Sequence, residues 1–109
     1  MAGAKLVVLY PYPKDVDVFE RAYAEEHVPL VNETTMKGIS KFVQTKVDGT
    51  ADGSAPPFYR IAELHFPSLE TLKECASAAG AQAAVAHAVS ISSGGKPIFL
   101  VAAEETTTF

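Results

Sequence analysis

The segment Glu25-Glu26-His27-Val28-Pro29-Leu30 ends a stretch that carries Phe19, Ala22, Tyr23 and Leu30 at helical spacing. On a 3.6-residue period His27 shares that apolar stripe, so its ring is directed toward the core. Pro29 has no N–H and leaves the Glu25 carbonyl without its helical donor, and Val28, one residue before it, is pushed out of helical geometry. An imidazole, the side chain best suited to moving protons near neutral pH, is therefore expected on an inward face where a helix breaks. There it can act as general acid or base, or donate to a ligand carbonyl. A buried histidine held by the freed backbone carbonyl fits the same pattern.

Glu63 and His65 lie two apart in a run with strand character, so they project to one side. A carboxylate beside an imidazole favours the charged ring and fixes a tautomer, which makes the two a candidate acid/base pair. A cross-strand ion pair, with Lys46 or a second subunit's Arg60, is the plainer reading. His27, Glu63 and His65 together also have the composition of a two-histidine, one-carboxylate metal site, although nothing in their spacing demands one. Tyr10, Tyr23 and Tyr59 can line a pocket for a flat or apolar ligand, each offering a hydroxyl. Core and interface packing is the preferred reading for Tyr23. Gln44 projects from a strand toward the same space or toward solvent. Cys75 reads as a small packing residue, and His87 as a surface residue near a helix C-terminus. Gly49, Gly53, Gly94 and Gly95 fall in no phosphate-binding pattern.

These residues need elements to hold them. Lys5 to Tyr12 reads as a strand apolar on both faces, stopped by Pro11 and Pro13. Asp15, or Asp17 with Glu20 as a capping box, opens the first helix, which runs to about His27 with a ragged turn to Thr35. Ser40 to Asp48 is a second strand, 48–57 a long loop expected to act as a mobile flap, and Phe58 to Phe66 a third strand. Ser68 caps a second helix burying Leu69, Leu72, Ala76 and Ala79, interrupted at Gly80 and continuing through Val85 and Val89. Pro97 to Ala102 is the last strand, and Glu104 to Phe109 a loose tail. The order β-α-β-β-α-β is that of the ferredoxin-like split βαβ α+β fold, in one domain over residues 1–109 with its core at about 5–103. Two helices cover one face of such a sheet. On the other face Tyr59, Ile61, Glu63 and His65 mix bulk with charge, which suits a pocket wall closed by a second copy about a two-fold axis.

Composition narrows the function. A net charge of −4 without any Lys/Arg cluster argues against nucleic acid as a partner. No segment approaches the ~20 apolar residues of a membrane span, and Met1 to Lys5 does not read as a signal peptide. One cysteine, Cys75, allows no internal disulfide and is compatible with a reducing compartment; a cytoplasmic protein is the expectation.

The opening Lys5-Leu6-Val7-Val8-Leu9-Tyr10-Pro11, the turn Glu26-His27-Val28-Pro29-Leu30 and the run from Phe58 to Phe66 together resemble the EthD family, over roughly Lys5 to Ala103. That family is named for a small protein needed in bacterial degradation of ethyl tert-butyl ether, where a haem monooxygenase performs the oxidation. The resemblance implies a dimeric α/β barrel. Relatives in the superfamily include lactone isomerases, cofactor-free monooxygenases, cyclases, dehydratases and haem-binding enzymes. The family's histidine-x-proline pattern falls on His27 and Pro29. The combined expectation is a homodimer whose pocket, lined by His27, Glu63, His65, Tyr10 and Tyr59, takes a small apolar oxygen-containing molecule. In it His27 accepts a proton and Glu63 or His65 orients or returns it, without an organic cofactor. Two alternatives accompany it: a non-catalytic accessory protein that supports a monooxygenase, and a haem-binding enzyme with His27 as ligand.

Overall fold

Alternation along the first strand sorts the molecule into two faces. In a computed structural model, which describes residues 3–109, β1 spans Ala4–Tyr10 and pairs antiparallel with β3 (Arg60–Phe66) and β4 (Ile98–Ala103). β2 (Lys41–Lys46) adds on the far side of β3, giving the order β2-β3-β1-β4. Ala4, Val8 and Tyr10 are buried on one face together with Ala62, Leu64 and Phe66. Lys5, Val7 and Leu9 lie on the other, opposite His65, Glu63 and Ile61. The helices α1 (Val16–Ala22), α2 (Leu69–Ala76) and α3 (Ala79–Ile91) supply Phe19, Leu72, Cys75, Ala81, Ala84 and Ala88 to the core on the first face. This is the expected ferredoxin-like arrangement. The first two residues of the Met1 to Lys5 segment lie outside the described residues. No helix among the described residues is long and apolar enough to cross a membrane.

Several boundaries differ from the sequence reading for local reasons. β1 stops at Tyr10, since Pro11 has no N–H to give a neighbouring strand, and Tyr12 turns 55% exposed. Asp15 alone caps α1, accepting from the Val18 N–H at 3.1 Å; Glu20 is drawn away to Arg60 and forms no capping box with Asp17. Ser68 caps α2 as expected, but its buried stripe is Leu72 and Cys75, while Leu69, Ala76 and Ala79 are exposed. The break between α2 and α3 falls at Ser77 and Ala78, so Gly80 sits inside the first turn of α3. It is needed there for close packing: a Cβ on Gly80 would lie 2.9 Å from the Thr35 carbonyl oxygen. Glu104 is not part of a loose tail. Its N–H donates to the Gly3 carbonyl at 2.9 Å, which extends the β1–β4 pairing.

The loop carrying Gly94 passes directly over the chain at Tyr12 and Pro13, and Ser93 accepts from the Lys14 N–H at 2.9 Å. A Cβ on Gly94 would run into the Tyr12 carbonyl, backbone against backbone, with no flexible side chain to yield. Gly94→Ala is expected to lower the unfolding free energy by about 1–3 kcal/mol, measured by urea denaturation.

Candidate functional site

Past Ala22 the first helix widens. Residues Tyr23–His27 form a π-helical turn in which the Val28 N–H donates to the Tyr23 carbonyl, and Val28–Leu30 then tighten into a 3₁₀ turn containing Pro29. Single π turns of this kind recur at functional sites. The wide turn brings His27 beneath Tyr23, their rings 5.6 Å apart between centroids and 29° from parallel. His27 is 6% exposed. Its surroundings are aromatic: Tyr10, fully buried, meets Phe19, Tyr23 and His27 edge-on. Arg60 lies 4.7 Å above the Tyr23 ring and binds Glu20 through two nitrogens, at 2.8 and 3.0 Å. That pair seals the stack and holds the Glu20 carboxyl below its ordinary range.

Both ring nitrogens of His27 have partners. Nε2 lies 3.4 Å from the Tyr10 hydroxyl, and Nδ1 lies 3.0 Å from Nδ1 of His87 on α3. The two imidazoles are nearly parallel, 9° between planes. His87 Nε2 in turn faces the Glu26 carboxylate at 3.5 Å. Burial, with a smaller contribution from His87, lowers the His27 pKa to about 4, so the ring is neutral near pH 7. Burial raises the Tyr10 pKa and pushes that of Tyr23 up to about 12. Tyr10 therefore keeps its proton and can donate it.

Two spaces that share wall residues lie beside this cluster, an inner one against Tyr10 and His27 and an outer one toward Phe66 and Leu72. The inner one, about 20 Å³, is bounded by Tyr10, His27, Val8, Ala62, Ala84 and Ala88. The outer one, about 280 Å³, lies between Leu6, Leu64, Phe66, Leu72, Cys75, Ala81 and Phe99. Leu6, Met36, Leu64, Val85 and Phe99 border both. About 20 Å³ is room for one water-sized group, and the outer volume suits a small organic molecule. The walls are apolar throughout, and polar atoms are concentrated at the inner end.

The structure separates the residues that the sequence grouped. Glu63 and His65 stand on the opposite face of the sheet from His27, as the period of β3 requires. Glu63 binds Lys5 of β1 at 2.6 Å rather than Lys46, and His65 faces Glu104 at 3.8 Å. Neither can return a proton to His27, and the three cannot share a metal ion. Among the described residues no group of His, Cys, Asp and Glu is placed to hold one. Tyr59 lies just before β3 and packs against Phe19 and Tyr12 on the helix side, so it does not share a face with Glu63. Tyr23 backs the His27 ring, and neither of these tyrosines borders the cavity. Gln44 is exposed and borders neither space. Haem does not fit: the space against His27 is about 20 Å³, room for one water-sized group and not for a macrocycle. His87 was read as a surface residue and is instead half-buried against His27. Its spacing held the signal, since it falls three residues after Ala84 and four before Ile91 on the packed side of α3.

Comparison with known proteins places this geometry in context. The EthD domain family matches residues 12–89. An uncharacterized 11.0 kDa protein in the thcB-thcC intergenic region of Rhodococcus erythropolis is 30% identical over 91 residues, 84% of this chain and 85% of that protein. The crystal structure of an ethyl tert-butyl ether d (ethd) family protein from Bacillus halodurans C-125 superimposes with a TM-score of 0.83 at 24% identity, covering 95% of this chain and 99% of that one. A dimeric ferredoxin-like protein of unknown function from Jannaschia sp. CCS1 does so with a TM-score of 0.64 at 18% identity, covering 97% and 100%.

The depressed His27 pKa links the site to stability. With a folded value of about 4 and an ordinary value of 6.5, the unfolded chain binds more protons across that window. The contribution is complete above pH 6.5 and is lost as pH falls through 4. Replacing the ring by a group that does not titrate removes this slope. In His27→Gln the stability difference between pH 7 and pH 4 should shrink by about 3 kcal/mol relative to the parent, measured by denaturant unfolding at each pH.

Proposed function

The chain belongs to the EthD family, and from that premise we propose that it binds a small, mostly apolar organic molecule carrying one oxygen and performs acid/base chemistry on it through His27. The observation that carries the reading is the lining of the cavity, where apolar walls end at one polar pair, Tyr10 and His27. Apolar walls supply affinity without direction, and the polar pair fixes which end enters first. A ligand oxygen reaching the inner space meets the Tyr10 O–H. A proton one or two atoms further along meets the lone pair of His27 Nε2. Ketones, lactones and ethers have this shape and polarity, which agrees with a catabolic role.

The working molecule is a homodimer closed across the open face of the sheet. That face carries Val7, Leu9, Ile61, Ile98 and Leu100, the last two 43% and 47% exposed, bordered by Lys5, Glu63 and Glu104. An apolar centre with both signs of charge at its edge is self-complementary about a two-fold axis. The dimeric state of the Jannaschia protein supports it.

Cyclohexanone and methylenecyclohexane test the pocket, because they differ only in the oxygen. The ketone should bind about tenfold more tightly, the worth of one hydrogen bond, by NMR titration. Val85→Trp, at a partly exposed wall residue common to both spaces, should abolish binding of both. Equal binding of the two compounds, or binding that survives Val85→Trp, removes the reading. Tight binding of a natural ligand without turnover would assign the accessory role in place of the enzyme. Separately, Leu100→Glu should convert the dimer to a monomer in sedimentation equilibrium; a parent protein that already sediments as a monomer contradicts the dimer.

A further inference from the structure

Exposure falls stepwise along one line of side chains. The Glu26 side chain is 64% exposed and that of His87 22%, while His27 is 6% and Tyr10 0% exposed as whole residues. The gaps along the line are 3.5 Å, 3.0 Å and 3.4 Å. We propose that Glu26, His87 and His27 form a proton relay between solvent and the buried end of the cavity, with His87 as the positioning residue that sets the tautomer of His27. The proposal rests on the cavity being the ligand site described above.

Two Nδ1 atoms 3.0 Å apart hold one proton between them, because two N–H groups would collide and two lone pairs would repel. The remaining partners decide where it sits. The Glu26 carboxylate, 3.5 Å from His87 Nε2, favours a proton on that nitrogen, so His87 presents a bare Nδ1. His27 then carries its proton on Nδ1 and presents a bare Nε2 to the Tyr10 O–H. Every member has a partner in this arrangement, and when the Tyr10 O–H turns from His27 to a ligand oxygen the Nε2 lone pair of His27 is left bare.

The relay runs as one balanced shift. A proton leaves the ligand and bonds to His27 Nε2. The His27 Nδ1 proton crosses to His87 Nδ1, and the His87 Nε2 proton passes to Glu26 or to water. One proton enters the line and one leaves, and both rings finish neutral with their tautomers exchanged. The reverse shift delivers a proton to the ligand. This resolves a conflict within the site. A buried imidazole resists becoming a cation and alone would be a weak base. Passing its second proton onward lets it accept one without ever carrying charge. The groups facing His27 are Tyr10 from β1, Tyr23 from its own turn and His87 from α3, while His87 is faced by His27 and Glu26. The Arg60–Glu20 pair lies beyond Tyr23.

Nitrogen-15 NMR of the histidine rings at pH 7.5 reads the tautomers directly. The expected result is Nδ1–H on His27, Nε2–H on His87, and a scalar coupling between the two Nδ1 nuclei across the hydrogen bond. Glu26→Gln, an exposed substitution, should erode the preference for these tautomers while leaving the fold intact. A second readout is exchange of the α-hydrogens of cyclohexanone in D₂O. His87→Phe should slow it at least ~10-fold with the ketone dissociation constant unchanged. Nε2–H on both rings without coupling would overturn the relay, as would exchange indifferent to His87→Phe. If cyclohexanone does not bind at all, the ligand reading fails and the ring spectra alone decide the relay.

Discussion

A ring with two polar nitrogens, shut away from water, must find a partner for each. That constraint governs the surroundings of His27. Leaving one such group unmet costs about 1–3 kcal/mol, a large share of what a domain of this size has in hand. His27 meets it with a hydroxyl from the first strand and an imidazole from the third helix, so three distant segments of chain converge on one ring. The packing follows. Tyr10 is fully buried because it must reach His27. α3 presents alanines at 81, 84 and 88 so that it can lie close enough for His87 to touch. Gly80 lets the start of the same helix press against Thr35.

The sheet divides the labour of the molecule. Its helix face is apolar except at one end, and its open face is apolar except along one border. A residue's parity in β3 decides which purpose it serves. Leu64 and Phe66 wall the cavity, while Glu63 and His65, between and beside them, join a charged cluster with Lys5 and Glu104. Both faces use the same backbone ladder, so a change in register would exchange their roles wholesale.

The fold was legible in the sequence because its signals are local: prolines end strands, Asp15 and Ser68 cap helices, and alternation marks β3. The inward turn of His27 was legible for the same reason, from its place on the stripe of Phe19 and Tyr23. The rest of the site was not. Which face of the sheet receives the helices is a long-range outcome, and without it Glu63 and His65 looked like neighbours of His27. Tyr59 misled through strand parity, since it precedes the regular pairing and packs with Phe19 instead. The contact of His87 with His27 spans 60 residues of chain, and no local pattern announces a partner at that distance. The nearest clue was its position between Ala84 and Ile91.

The π turn at Tyr23–His27 bears on how such a protein changes over generations. It holds one residue more than a regular helical turn would use, and that surplus sets His27 under Tyr23. Loss of a single codon here would close the backbone ring to its ordinary size and swing the imidazole off its stack, with the sheet and the other two helices untouched. The placement of this imidazole thus depends on a single residue of helix length, a change far smaller than anything that alters the shape of the scaffold.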